Sequence, residues 1–215
     1  QVTLWAKSRF PQRPVCLFGH SMGSLAARAY LLWYEGELSG AMLSGSPAYN
    51  RATPGGKLLA RVLGLKSGGR KRSKLLKVIT SGPFYRAFPD EGSKCSWICS
   101  DKEVVRAYDE SPLCGFTFAC NGFMSLYTLM ALAYNARVKA KNPELPIFFL
   151  SGENDPCRGG DRGFQRAVEV MLRRGYRRVG GRVYKGMRHE ILNEPGRAEV
   201  YKDVLEKLNE WGAAE

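Results

Sequence analysis

A buried strand that turns within a few residues into a helix restricts a chain to few architectures, and residues 13–36 carry this pattern. The apolar run RPVCLFG, residues 13–19, is bounded by proline and glycine, as buried strands commonly are. A helical pattern follows at once, ends at Gly36, and places on one face Leu25, Ala29, Leu32 and Trp33. A parallel sheet accommodates such a unit, because its strands are buried on both faces and covered by helices.

Three further apolar runs predict strands, in residues 38–46, 145–156 and 180–190. The last two runs are separated by a helical pattern that stops at Gly175 and has at helical spacing Phe164, Val168, Met171 and Leu172. A final helix is predicted after Pro195, with one face formed by Val200, Val204, Leu208 and Trp211. This alternation predicts the α/β class, with a parallel sheet flanked by helices.

About 100 residues separate the second and third predicted strands, far more than an ordinary α/β connection. Their stretch from 111 to 136 has no charged residue and is long enough to span a bilayer, but asparagine, glycine, serine, threonine and tyrosine dilute it. An inserted helical cap is the favoured interpretation. The predicted division is a core part at 1–47, a cap or lid at 48–142, and a second core part at 143–215.

Gly19-His20-Ser21-Met22-Gly23 fits the pattern G-x-S-x-G, which exposes a nucleophilic serine on a strained turn between strand and helix. The amide of Met22 would face the oxyanion formed during the reaction. The partners of such a serine follow in the order acid, then histidine, at carboxyl ends of strands, where Asp155 and His189 lie. Asp155 could instead cap a helix, and His189 could be an ordinary loop residue; His20 is interpreted as structural.

Charge and cysteine content limit the kinds of binding partner and metal site that the chain can have. The net charge of +13 fits nucleic acid, an anionic membrane or simple solubility. The basic run at 66–74 lacks interleaved aromatic residues, so we expect no nucleic acid and name an anionic membrane surface as a candidate partner. Six cysteines without a Cys-x-x-Cys pair, and only two histidines, argue against a zinc site. We predict no metal, no cofactor, free thiols, and a cytoplasmic or peripheral-membrane location.

The motifs GHSMGS, FFLSGENDP and MRHEILNE resemble the α/β-hydrolases grouped as monoacylglycerol lipases, lysophospholipases and serine aminopeptidase-like enzymes. GGKLLARV and DESPLCGFTF resemble the cap of bacterial lysophospholipase-like members. The resemblance implies a serine esterase acting on a small lipid-like ester, with Ser21 as nucleophile, His189 as base, Asp155 orienting it and the Met22 amide as an oxyanion donor. It also implies an acyl pocket in the cap, near which we expect Leu113, Phe116 and Phe123.

The family carries several βα units before its nucleophile, whereas only 18 residues precede Gly19 here. The sequence therefore predicts a chain that lacks the N-terminal βα units, and with them the second oxyanion donor. Its first strand would need the missing segment or a second copy of the chain as a neighbour. Two alternatives stay open: acyl transfer or amide and peptide hydrolysis by the same triad, and a catalytically weak fragment that acts as a lipid-binding module.

Overall fold

The computed structural model describes residues 1–212 and contains one sheet of four parallel strands in the order β1-β2-β3-β4. The strands are β1 (Cys16–His20), β2 (Gly40–Ser44), β3 (Ile147–Gly152) and β4 (Val179–Tyr184). In the central pairs, Phe18 is opposite Met42 and Leu43 is opposite Phe149. All four predicted strands are present, each shorter than its apolar run because the flanking residues form turns.

Eight helices surround this sheet in the described part of the chain. Those that accompany the strands are α1 (Val2–Arg9), α2 (Met22–Tyr34), α7 (Gly160–Arg174) and α8 (Arg197–Glu210). Between β2 and β3 lie α3 (Thr53–Gly64), α4 (Lys74–Tyr85), α5 (Lys102–Glu110) and α6 (Cys120–Ala133). Short 3₁₀ turns occupy Glu35–Glu37, Leu65–Ser67, Pro89–Glu91 and Pro156–Arg158. The α/β-hydrolase architecture expected from the sequence is thus present.

Two apolar clusters cover the faces of the sheet. On one face, α2 and α7 pack on the strands through residues that include Leu31, Leu43, Phe149 and Met171. On the other face, α8 packs through Val200, with Met42, Leu150 and Tyr184 in the same cluster. Burying both faces of a parallel sheet in this way supplies the main hydrophobic stabilisation of the fold.

The prediction that Trp33 and Leu172 lie on the buried faces of their helices is wrong. Trp33 is 58% exposed and Leu172 is 47% exposed, so the buried stripes of α2 and α7 are narrower than the apolar spacing suggests. Leu25, Ala29 and Leu32 are buried as predicted. Gly175 ends α7 as predicted, in the left-handed conformation with φ of 104°.

The uncharged block forms α6, which packs between α3 and α2. Its residues Phe123 and Tyr127 join a cluster with α3, and Met130 and Ala133 join a cluster with Leu25 of α2. This double contact explains why α6 is apolar on most sides. Within residues 1–212, no helix combines the length and apolar character needed to cross a bilayer.

Two buried arginines fasten the end of α6 to the core. Arg174 of α7 donates to the carbonyl oxygens of Leu132 at 2.6 Å, Ala133 at 3.2 Å and Asn135 at 3.0 Å. Arg28 of α2 donates to the Ala133 carbonyl at 2.8 Å. Burial, followed by the positive charge of Arg28, lowers the pKa of Arg174 to about 10. Both guanidinium groups thereby pair with carbonyls that a helix leaves free at its C-terminus, where the helix dipole favours cations.

Candidate active site

Ser21 lies between β1 and α2 in a strained backbone conformation. Its φ of 53° and ψ of −123° make it the only non-glycine residue with positive φ in the described chain. The turn is held because Ser21 N–H donates to the Ser44 carbonyl at 2.9 Å and Ser24 N–H donates to the Ser21 carbonyl at 2.9 Å. Strain that neighbouring contacts maintain at one side chain is characteristic of functional sites.

The two glycines of the pentapeptide have different surroundings. A Cβ atom on Gly19 would lie 2.6 Å from the Gly23 carbonyl oxygen and 2.9 Å from the Ala27 Cβ, so only glycine lets β1 and α2 pass this closely. A Cβ atom on Gly23 would meet nothing within 4 Å. Close packing therefore requires a glycine before the serine and not after it.

The structure brings Ser21, His189 and Asp155 into one hydrogen-bonded row. The Ser21 hydroxyl lies 2.8 Å from His189 Nε2, and His189 Nδ1 lies 2.9 Å from Asp155 Oδ2. A neutral imidazole satisfies both contacts when Nδ1–H donates to the carboxylate and Nε2 accepts from the serine. His189 is 3% exposed and Asp155 is 2% exposed, so the histidine and the carboxylate are kept out of bulk water, while Ser21 is half-buried.

Strand ends position the three side chains. Ser21 follows β1, Asp155 follows β3 and His189 follows β4, so all three loops start at the carboxyl edge of the parallel sheet. Asp155 also caps the 3₁₀ turn that follows it, because its Oδ1 accepts from Cys157 N–H at 2.8 Å. The two interpretations that the sequence left open for Asp155 therefore hold together, since one oxygen caps the turn and the other faces His189.

The neighbouring acids are engaged elsewhere. Glu153 accepts from Gly186 N–H at 3.0 Å, and Asp161 pairs with Arg158 at 2.9 Å. Among the described residues, neither of these two carboxylates hydrogen-bonds to the His189 ring. Of these three nearby carboxylates, Asp155 is therefore the one that hydrogen-bonds to His189.

Two aromatic rings lie against His189. His20 is at a centroid distance of 4.8 Å, and Trp97, from the stretch between α4 and α5, is at 4.7 Å. His20 Nδ1 lies 3.2 Å from the Ser44 hydroxyl, in keeping with its predicted structural role. Burial first, then repulsion from His189, lowers the pKa of His20 to about 4. Sequence reasoning missed Trp97, because nothing in its local pattern marks a tryptophan more than 90 residues before the histidine it contacts.

Met22 is the first residue of α2, so its amide belongs to the helix turn whose N–H groups lack intrahelical acceptors. An anion formed beside Ser21 would meet this end of the helix dipole. The role of the Met22 amide as an oxyanion donor stays a prediction.

The three residues expected near an acyl site are not brought together. Phe123 is 3% exposed and packs inside the cluster between α3 and α6, whereas Leu113 is 81% exposed and Phe116 is 56% exposed. Leu113 and Phe116 belong to the loop between α5 and α6, which gives them few neighbours. The assignment of all three residues to an acyl site stays a prediction.

Asp155, Cys157 and His189 place one potential ligand atom each within 4.8 Å of one another. Asp155 and His189 are already hydrogen-bonded together, and burial raises the pKa of the Cys157 thiol well above its usual range. The cluster is therefore explained by the hydrogen-bonded row, and we assign no metal to it.

Known proteins resemble the chain along most of its length. The model of the family described as "Serine aminopeptidase, S33" matches residues 2–196. A monoacylglycerol lipase of Mycolicibacterium smegmatis is 27% identical over 206 residues, which make up 93% of this chain and 63% of that relative. The chain thus spans less than two thirds of the length of this curated relative.

Solved structures share the fold. A thermostable carboxyl esterase from Bacillus coagulans, with glycerol bound, superimposes with a TM-score of 0.85 at 24% identity, over 99% of this chain and 69% of the esterase. A lipase in an open form superimposes with a TM-score of 0.81 at 26% identity, over 94% of this chain and 66% of the lipase.

Proposed function

The chain belongs to the S33 serine aminopeptidase family of α/β-hydrolases, and on this premise we propose that it hydrolyses esters of lipid-like substrates through Ser21, His189 and Asp155. The observation that carries the proposal is the hydrogen-bonded row from the strained serine through His189 to the buried carboxylate. A serine hydroxyl becomes a strong nucleophile when an adjacent base takes its proton.

Each residue has one task in the proposed reaction. Ser21 Oγ attacks the ester carbonyl carbon while its proton passes to His189 Nε2, and Asp155 holds the Nδ1–H and the resulting imidazolium. The Met22 amide and the N-terminus of α2 face the oxyanion. His189 gives this proton to the departing alcohol, which leaves the acyl group bonded to Ser21 Oγ. Water then attacks the acyl carbon while His189 takes its proton, and the carboxylic acid is released when His189 returns a proton to Ser21 Oγ.

The ester class is supported by the relatives, which are named as a monoacylglycerol lipase, a carboxyl esterase and a lipase. Monoacylglycerols and lysophospholipids are the proposed substrates. The family description favours a second candidate, release of an N-terminal amino acid by the same triad, because acyl transfer to water from an ester or an amide uses the same groups.

Ser21→Ala should abolish ester turnover, and a fluorophosphonate probe should label Ser21 alone. The assay should include p-nitrophenyl esters of increasing chain length, a monoacylglycerol, a lysophospholipid and an aminoacyl amide. Ser8→Ala, an exposed serine on α1, is the matched control and should retain activity. Full turnover by Ser21→Ala would remove the nucleophile from the proposal, and turnover of the amide alone would replace ester hydrolysis by the second candidate.

We further propose that α3 and α4 meet an anionic lipid surface. Residues 51–89 contain ten of the 33 lysines and arginines and none of the 20 acidic residues, and none of the ten forms a salt bridge within the described chain. The same two helices and the turn between them expose six aliphatic side chains, Leu58, Val62, Leu65, Leu75, Val78 and Ile79. Cations around aliphatic residues suit a bilayer better than a nucleic acid, whose bases stack on aromatic rings.

A further inference from the structure

The stretch formed by residues 91–100, between α4 and α5, is fastened to the loop that carries His189. The guanidinium group of Arg188 donates to the carbonyl oxygens of Ser96 at 2.6 Å and Cys99 at 3.2 Å, and it pairs with Glu91. On the other side of the histidine, Glu190 N–H donates to the Ile98 carbonyl at 2.7 Å. Both sequence neighbours of His189 therefore bond to the 91–100 segment.

Glu194 completes this attachment. Its buried carboxylate accepts from Arg188 N–H at 2.8 Å and from Ser100 N–H at 3.0 Å, so one side chain joins the histidine loop to the end of the 91–100 segment. Such bonds to a carboxylate are stronger than those between neutral groups. The segment is thus a fixed part of the site on the side where it meets His189.

This attachment holds the indole of Trp97 against the imidazole of His189, at 4.7 Å between centroids and 43° between planes. Phe84 supports the indole from α4 at 5.1 Å. The indole Nε1 is buried and has no hydrogen-bond partner among residues 1–212. Phenylalanine would leave no donor unpaired, so hydrogen bonding does not account for a tryptophan at this position.

We propose that Trp97 is a positioning residue for His189: the indole fixes the imidazole ring and stabilises its protonated form through the indole π system. The inference rests on the proposed function, in which His189 takes the proton of Ser21 and becomes a cation. Tryptophan offers a cation the most favourable aromatic face, and the effect grows when the pair is buried. Because the cation exists only after proton transfer, the benefit falls on the transition state rather than on the bound ester.

The other groups near His189 do not replace this effect. His20 stays uncharged near neutral pH, because burial lowers its pKa to about 4. The Cys157 thiol stays protonated, and the charge of Arg188 is paired with Glu91. Asp155 stabilises the imidazolium in the plane of the ring, through the hydrogen bond at Nδ1. The carboxylate of Glu190, the next residue along the chain, accepts from the side chain of Asn193 instead. Trp97 is the aromatic contact supplied from outside the sheet.

The kinetic test uses Trp97→Leu and Trp97→Phe with a short, soluble p-nitrophenyl ester. For Trp97→Leu, kcat should fall about three- to tenfold with KM unchanged, and the acid limb of the kcat/KM profile should move about 0.5–1 pH unit to lower pH, because the protonated base loses stabilisation. For Trp97→Phe, the loss of kcat and the shift of the acid limb should lie between those of the parent and of Trp97→Leu. The matched control is Trp33→Leu, at an exposed tryptophan on α2, which should change neither quantity.

A second readout does not depend on activity. The chain has only two histidines, so the two imidazoles can be followed separately by NMR as the pH is varied. The titration midpoint of His189 should fall in Trp97→Leu and stay in place in Trp33→Leu. If the parent protein hydrolyses no ester but this midpoint falls, the proposed function fails and the pairing of Trp97 with His189 stands. A midpoint that is unchanged or raised in folded Trp97→Leu and Trp97→Phe would overturn the inference.

Discussion

Ser21 keeps its unfavourable backbone angles because backbone hydrogen bonds to Ser44 and Ser24 hold the turn on both sides. Gly19 permits the close crossing of β1 and α2, and Gly45, with φ of 54°, lies opposite the two histidines. A Cβ atom on Gly45 would lie 2.9 Å from the Cε1 atom of His189. The geometry of the nucleophile therefore depends on a glycine near the end of β1 and a glycine just after β2 as much as on the serine.

Gly19→Ala should destabilise the protein by about 1–3 kcal/mol and lower esterase activity, because the new methyl group meets backbone rather than a movable side chain. Gly23→Ala provides the matched control, since its methyl group would enter open space and alanine favours a helix. Urea unfolding and ester turnover of both variants measure the two effects. Equal losses for the two variants would contradict the close-packing argument.

The low pKa of His20 makes folding sensitive to acid. Its pKa of about 4 in the folded chain lies below the ordinary value of 6.5, so between these values the unfolded chain binds a proton that the folded chain does not. Stability is therefore lost as the pH falls from about 6.5 to about 4, by up to about 3 kcal/mol. His20→Asn, which can keep a hydrogen bond to Ser44 without titrating, should lose less stability over this range. Urea unfolding at several pH values measures the free energy of unfolding of both proteins. If it falls equally with pH in the two, His20 does not titrate in this way.

The residues of the row were predictable because each follows a strand in a fixed order, and local patterns reveal strands. Trp97, Arg188 and Glu194 were not, because their roles depend on contacts between segments more than 80 residues apart in the chain. Even for Asp155, the sequence left a choice between a cap and a partner for histidine that only the three-dimensional contacts resolve.

At the scale of helices, the sequence predicted where most helices lie but not how their neighbours bury and anchor them. Apolar residues at helical spacing predicted the helices of the core, but the exposed Trp33 and Leu172 show that spacing alone overestimates the width of a buried face. The arginines that fasten α6 were equally unpredictable, because a lysine- and arginine-rich helix end is usually solvated. Arg174 lies at helical spacing from the buried Ala167, Val170 and Met171, whereas the neighbouring Arg173 is exposed.

Arg174→Met should destabilise the protein by about 2–4 kcal/mol, because the carbonyl oxygens of Leu132, Ala133 and Asn135 each lose a charged donor, and Arg28 replaces it only at Ala133. Arg173→Met removes the same functional group from a side chain that is 72% exposed and should cost less than about 0.5 kcal/mol. Thermal or urea unfolding of the pair gives the comparison. If Arg173→Met proves as costly as Arg174→Met, the anchoring of α6 by Arg174 is refuted.

Charge is unevenly distributed over the molecule. The excess of cations lies on α3, α4 and the turns beside them, whereas α7 and α8 carry both signs and take part in most of the salt bridges in the described chain. The sequence identified the basic run at 66–74, but the association of these cations with exposed aliphatic side chains required the structure, which shows which face of each helix is buried.

Binding to vesicles of phosphatidylcholine with ~30% phosphatidylserine should weaken as salt rises from about 50 mM to about 500 mM. The double variant Lys71→Gln, Lys74→Gln should bind about 30-fold more weakly at low salt, given about 1 kcal/mol for each cation near the surface. Arg162→Gln, Arg173→Gln on α7 is the matched control and should bind as the parent does. Salt-independent binding would contradict the electrostatic account, and preferential binding of RNA would replace the lipid surface by a nucleic acid.

The layout of the insertion also makes the chain divisible. Ser21 precedes it, Asp155 and His189 follow it, and the basic run at 66–74 offers several adjacent cleavage points for trypsin. A cut there places the nucleophile on one piece and the acid and base on the other, with β2 against β3 and α3 against α6 as the surfaces that rejoin them.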